Sequence, residues 1–302
     1  VTIEPGAVFK FTEEGHLDIE DEDGSLIAVG TADKPIKFLG TQEEAGHWIG
    51  INIETNDPNN ELKYTQVSHA ESNVNIKGGG SAKINNSVFS MAESYGVEVD
   101  RNGALQEFIG NTLEDDAILK LPEDQIGSLG AGNSFIGSGG TGSILVESEY
   151  SLSIAEDQYW RAFDAPYVMD GEFDVQAEVT VEPGAVFMFK EDSHLDIEGE
   201  AGALIAIGSA DNQIKFIGIQ DEKGHWEGIN IETNDPNNEL QYTQVSNAGP
   251  NINIRTDGSA KVTNSIITMS STYGIYVDRN ASLTESNNQY SDNSQGNVYY
   301  EE

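Results

Sequence analysis

The stretch Gly50 to Leu62, GINIETNDPNNEL, returns letter for letter at Gly228 to Leu240. The same offset holds well outside the identical run. VTIEPGAVF at Val1 matches VTVEPGAVF at Val179, HLDIE at His16 recurs at His194, and YGVEVDRN at Tyr95 matches YGIYVDRN at Tyr273. A fold for this chain has to account for that repeat before anything else. A shorter period runs inside it. Ile51 and Ile53 are apolar at alternate positions, the mark of a strand with one buried face. The pair recurs at Val74/Ile76, Val97/Val99, Leu119/Leu121 and Ile144/Val146. In the second half it recurs at Ile229/Ile231, Ile252/Ile254, Ile275/Val277 and Val298/Tyr300, evenly spaced throughout. Leu26/Ala28 precedes Ile51/Ile53 by a similar step and is expected as an earlier rung.

One β rung about every 23 positions describes one turn of a solenoid. The chain is expected to be all-β, a right-handed parallel β-helix of about thirteen coils roughly 4.8 Å apart. It divides into two tandem homologous cassettes, 1–178 and 179–302, the second continuous with the first. Asn86-Ser87-Val88, Asn111-Thr112-Leu113 and Asn133-Ser134-Phe135, with the copy Asn264-Ser265-Ile266, place Asn at similar points of successive coils. Such residues are expected to stack and to bond side chain to side chain. The Gly-rich segment from Ala117 to Val146 reads as tight turns, not as a phosphate loop.

Composition narrows the partners. Net charge is −37, from 52 acidic and 15 basic residues. Nucleic acid needs a basic face, so it is excluded as a partner. The absence of Cys excludes disulfides, thiolate metal sites and cysteine nucleophiles. No apolar stretch approaches the length of a membrane span. VTIEPGAVF reads as the middle of a coil with no cap before it. The chain is therefore expected to be a fragment or processed product of a longer repeat protein, with strand edges able to associate end to end.

VTIEPGAVFKF, HLDIE, GSLIAVGTADKPIKFLG and GHWIGINIE together resemble bacterial surface proteins of the right-handed parallel β-helix repeat family, related in fold to pectin-lyase-like proteins. AEDQYWRAFDAPYVMDGEFDVQAEVTVEPGAVFMF resembles the link by which that family starts a new cassette. The resemblance implies an exported, extracellular or outer-surface protein. It implies no reaction, because the fold hosts many functions.

The outward face of the ladder carries the candidate site. With Ile51 and Ile53 inward, one outward row is Asn52, Asn75, Glu98, and its copy is Asn230, Asn253, Tyr276, Tyr299. The next row is Glu54, Lys77, Asp100, and its copy is Glu232, Arg255, Asp278, each with a cation between two carboxylates. A pair of acids flanking a cation stays ionised and lacks a general acid. The pectin-lyase-like glycosidase motifs are incomplete too: Asp115-Asp116 and Gly-His pairs occur, but no Arg-x-Lys. The expected function is a non-catalytic surface scaffold, adhesive or glycan-binding. Asn230, Glu232, Asn253, Arg255, Tyr276, Asp278 and Tyr299 form its patch, since aromatic faces beside amides suit sugars. The alternatives are a polysaccharide-active enzyme on the same face and a self-assembling fibre subunit.

The duplicated loop offers oxygen donors. Glu54, Asp57 and Glu61, with Thr55, Asn56 and Asn59, and the copy Glu232, Asp235 and Glu239, are candidate calcium ligands. The competing reading is a polar turn in which Asn and Asp bond nearby backbone. His16, His47 and His69 could share a site only if three coils converged, and they are expected to be solvated or hydrogen-bonded. Trp48 and Trp226 are expected to close packing at a corner. The acidic run Asp18, Glu20, Asp21, Glu22, Asp23 is expected as a solvated turn.

Overall fold

The computed structural model describes residues 1–21, 23–140, 142–148 and 152–302. Glu22 of the acidic run lies outside the described residues. The fold is a parallel β-solenoid of about 13 turns with almost no helix. It divides into two compact units, Val1–Leu145 with Phe163–Ala165, and Val146–Ala162 with Pro166–Glu302.

In the first unit each turn gives a strand to each of three parallel sheets. The ladder sheet stacks His16–Ile19, Gly50–Ile53, Ser72–Ile76, Tyr95–Val99 and Leu119–Pro122. Its inward column runs Leu17, Ile51, Val74, Val97, Leu119 in strict register, as the period requires. Ile51, Val74, Val97 and Leu119 are wholly buried. A second sheet buries Phe38, Val67, Phe89 and Leu113, and a third buries Ala28, Leu62, Ile84 and Phe108. Because every side chain of one parity points inward, alternation in the sequence becomes a continuous apolar column.

Leu26/Ala28 is not the earlier rung. Ala28 belongs to the third sheet, opposite Ile3 and Leu62. The true rung is Leu17/Ile19, which pairs directly with Ile51/Ile53. The extra length of this coil goes into two excursions, Gly30–Pro35 between the third and second sheets and Thr41–Ile49 between the second sheet and the ladder. A fixed count per coil cannot see such an insertion.

The corners explain the other difference. Tyr64, Asn86, Gly110 and Gly132 each turn the chain from the third sheet to the second with φ of 50°, 50°, 67° and 79°. Asn and Gly accept this left-handed geometry at least cost. Asn86 is therefore the corner, and register sets Ser87, not Asn86, over Asn111 and Asn133. Asn264 Oδ1 does accept from Asn287 Nδ2 of the next coil, at 3.4 Å, but Asn111 and Asn133 bond to backbone instead. Asn111 Oδ1 accepts from Ser87 N at 3.0 Å, and Asn133 Oδ1 accepts from Asn111 N at 2.9 Å. Buried backbone N–H groups left over at a corner need an acceptor, and the carboxamide of the next coil supplies it.

Asn60 is a second buried staple. Its Oδ1 accepts from Leu26 N at 2.9 Å, and its Nδ2 donates to Thr55 O at 2.9 Å and Ser81 O at 3.1 Å. It thereby ties three consecutive coils. In the Gly-rich segment a 3-10 helix, Glu123–Ser128, replaces part of a third-sheet strand.

The second unit repeats the plan. Its ladder sheet stacks Glu172–Val175, His194–Ile197, Gly228–Ile231, Ile252–Ile254, Tyr273–Val277 and Gly296–Tyr300. Tyr167, Phe187 and Phe216 stack face to face inside, with centroids 5.0 and 5.2 Å apart. Trp48 and Trp226 close packing as expected. They stack on Phe11 and Phe189 at 4.1 and 4.0 Å, and each indole N–H donates to a backbone carbonyl at 2.8 Å. Among the described residues no helix is long and apolar enough to cross a membrane.

Candidate functional site

The outward rows fall in the expected register, with one addition. In the second unit the first row runs Asp174, Asp196, Asn230, Asn253, Tyr276, Tyr299. In the first unit it runs Asp18, Asn52, Asn75, Glu98. Asp18 is therefore not part of a solvated turn. Its Oδ1 accepts from Asn52 Nδ2 at 2.7 Å, and Asn52 Oδ1 accepts from Asn75 Nδ2 at 2.9 Å. Asp196, Asn230 and Asn253 form the same chain.

This chain of amides changes the role of two expected site residues. Asn230 is 1% and Asn253 8% exposed, so they form the bed of the face and offer little surface to a ligand. The Asn253 carboxamide lies between Asn230 and the Arg255 guanidinium, which faces Glu232 at 3.5 Å.

The second row does not hold each cation between two acids. Lys77 pairs with Glu54 at 3.4 Å, whereas Asp100 accepts from the backbone N–H of Gly78 and Asn102 at 3.0 and 2.9 Å. Likewise Asp278 accepts from Thr256 N at 3.0 Å. A carboxylate next to a tight turn satisfies the turn's donors first.

Tyr276, Tyr299, Arg255 and Asp278 do come together. Tyr276 and Tyr299 have centroids 5.2 Å apart, and Tyr273 lies 4.7 Å from Tyr299 and 6.1 Å from Tyr276. Gly296, at φ 141°, lies against the Tyr273 ring in a backbone conformation that other residues rarely adopt. Tyr273, Tyr276, Asn253, Arg255, Asp278 and Gln295 line a concavity of about 390 Å³. That lies at the small end of the roughly 300–1,000 Å³ typical of ligand pockets. Burial, then Glu301 and Asp278, push the Tyr276 phenol up, so the hydroxyl stays a neutral donor.

The first unit supplies an internal comparison. Where the second unit has Tyr276 and Tyr299, register places Glu98 and Lys120. Those two form an ion pair at 3.4 Å, and Lys120 Nζ lies 5.2 Å from the Tyr95 ring centroid. The two copies share the identical loop from Gly50 to Leu62 and from Gly228 to Leu240, yet one has an ion pair where the other has an aromatic platform.

The duplicated loop does not gather its carboxylates. Glu54 faces Lys77 at 3.4 Å and Glu239 faces Lys261 at 2.7 Å. Asp57 Oδ1 accepts from Asn59 N and Nδ2, both at 2.8 Å, and Asp235 Oδ1 accepts from Asn237 N at 2.8 Å. Glu61 lies on the third sheet beside Lys83, away from Glu54 on the ladder. Among the described residues no group of three His, Asp or Glu could hold a metal ion. Asp57 and Asp235 act as turn acceptors. Replacing both with Ala is expected to cost about 0.5–1.5 kcal/mol per site, equally with and without calcium. Paired denaturation curves at matched ionic strength check this.

The His residues are mostly satisfied. His47 Nε2 meets Thr41 Oγ1 at 2.8 Å, and His69 Nδ1 meets Ser68 Oγ at 3.1 Å. Burial lowers the pKa of His69. His225 departs from this pattern. Ile219 stands where the first copy has Thr41, and both buried ring nitrogens of His225 lack a hydrogen-bond partner.

Sequence reasoning missed the acidic end of the first row. Asp174 sits in register beside Asp196, and His194 Nε2 lies 3.5 Å from Asp196 Oδ2. The repeated HLDIE carried the signal, since Leu195 and Ile197 alternate like any rung. Burial, then Glu198 and Asp196, raise the Asp174 pKa, and His194 opposes them. Folded Asp174 therefore holds its proton more tightly than the unfolded chain does. Stability is greatest below the unfolded value and is lost as pH rises through the raised folded value. Asp174→Asn is expected to stabilise the protein at pH 7, the gain vanishing below pH 3.8. Melting temperatures of both forms across that range check the sign.

No family model matches the chain, and no curated protein or solved structure matches it.

Proposed function

We propose that this protein is a non-catalytic, extracellular or surface-exposed β-solenoid that binds a polysaccharide or cell-surface glycan on the second unit's ladder face. The observation that carries the reading is the tyrosine-lined concavity flanked by Arg255 and Asp278. Sugar rings present apolar C–H faces and a rim of hydroxyls. Exposed tyrosine rings meet the first, and a guanidinium with a carboxylate meets the second. Export and surface display rest on the resemblance to β-helix repeat surface proteins and on the net charge of −37. The test is a glycan array read alongside chromatographic analysis of the same glycans after incubation. Retention of intact glycan supports the reading; no retention at all defeats it.

A second reading, cleavage on the same face, has one specific observation in its favour. Asp174 and Asp196 sit one rung apart, roughly 4.8 Å, and burial raises the Asp174 pKa, the direction one expects of a proton donor. Shortened products that disappear in Asp174→Asn and Asp196→Asn would move the assignment to this reading.

A further inference from the structure

The charges around the tyrosine platform restrict the kind of glycan it can take. Arg255 and Asp278 of the second row line the concavity with Tyr273 and Tyr276; Tyr299 stacks on these two rings, and Glu232 reaches the row through Arg255. Glu301 follows Asp278 on the next rung and lies near enough to act on the Tyr276 phenol. Arg255 and Asp278 line the concavity with opposite charges; Arg255 already faces Glu232 at 3.5 Å, Asp278 accepts from Thr256 N at 3.0 Å, and Lys223 Nζ is held by Ser294 Oγ at 3.2 Å, next to the lining Gln295.

Each charged ligand class meets an obstacle here. A uronate or sulfated sugar would bring its anion beside Asp278 and Glu301, and the cation that lines the concavity, Arg255, already faces Glu232 at 3.5 Å. The chain's net charge of −37 adds a repulsive field at longer range. An amino sugar is drawn by the wider negative field, yet inside the concavity its ammonium meets Arg255 as well as Asp278. An uncharged pyranose meets neither obstacle. Its hydroxyls can accept from the guanidinium and donate to the Asp278 carboxylate while its apolar face covers a tyrosine ring.

We infer that the platform selects an uncharged glycan, reading one or two sugar rings through Tyr276, Tyr299, Arg255 and Asp278. This rests on the glycan-binding reading and adds the ligand's charge class. A concavity of about 390 Å³ is too small to enclose a long oligomer, so affinity is set by a short stretch of the chain.

The test uses the full chain and three oligosaccharide series in calorimetric titration. Cello- and chito-oligosaccharides are neutral, oligogalacturonate is anionic, and deacetylated chito-oligomers are cationic. The neutral series is expected to bind, with affinity changing less than about twofold as salt is raised severalfold, because no net ionic contact is screened. Arg255→Gln is expected to weaken that binding by about tenfold or less, the loss of a hydrogen bond rather than of an ion pair. Tighter binding of oligogalacturonate, falling steeply with salt and lost in Arg255→Gln, overturns the charge assignment while leaving glycan binding intact. Preference for the deacetylated oligomers overturns it as well. If none of the three series binds to protein with an unchanged circular dichroism spectrum, the glycan-binding reading itself fails and the charge class falls with it.

Discussion

Replacing Tyr276 and Tyr299 together with Ala is expected to weaken glycan binding by about ten- to a hundredfold. Each stacked aromatic contact is worth about 0.5–1.5 kcal/mol beyond the area it covers, and about 1.4 kcal/mol is a factor of ten. Folding should survive, because Tyr299 is 37% exposed and neither ring fills the interior. The internal copy provides the control. Glu98→Ala with Lys120→Ala, at the same register in the first unit, should leave binding unchanged. Titration of the parent and both double variants with one neutral oligosaccharide measures the difference. Equal affinity in all three would remove the platform from the binding site.

Asn60→Ala is expected to be the most damaging single polar substitution in the first unit. The carboxamide is wholly buried and serves Leu26 N, Thr55 O and Ser81 O. Removing it strands the Leu26 donor away from water, at about 1–3 kcal/mol, and takes one donor from each carbonyl, although Thr55 O keeps Ser81 N at 2.9 Å. A loss of about 2–4 kcal/mol follows once the lost contacts of the carbonyls are included. Asp57→Ala, in the same loop, breaks only exposed bonds and should cost far less. Asn238, whose Oδ1 accepts from Leu204 N at 3.0 Å, is the equivalent staple in the second unit. Denaturant midpoints of Asn60→Ala and Asp57→Ala rank the two; equal costs would show that the staple carries no special share.

The columns of the solenoid were legible because burial of one strand face forces alternation. Ile51, Val74, Val97 and Leu119 align as their spacing requires. What spacing misses is any coil whose length departs from the period. The long step from Leu17 to Ile51 hid the first rung, and with it Asp18, Asp196 and Asp174. The corner Asn residues misled for a related reason. Asn86 and Asn111 share a neighbouring Ser or Thr, yet Asn86 turns the backbone and Asn111 satisfies it.

The site was partly legible. Alternation placed Tyr276, Tyr299, Arg255 and Asp278 outward on the correct rungs, and the structure brings Tyr276, Arg255 and Asp278 to one concavity with the Tyr299 ring stacked 5.2 Å from Tyr276. Tyr273 joins them from the start of its strand, three positions before Tyr276 and so off the alternation that defines the row. Asn230 and Asn253 point outward, as expected, but hydrogen-bond along the row and are buried. Side-chain direction follows from alternation; accessibility depends on what the neighbouring rungs carry.

The most direct measurement is a crystal structure of the full chain soaked with a neutral oligosaccharide. The expected result is an intact pyranose ring lying on Tyr276 and Tyr299, with hydroxyls within hydrogen-bond reach of Arg255 and Asp278. Sugar density on another face, cleaved sugar beside Asp174 and Asp196, or an empty platform at saturating ligand would contradict it.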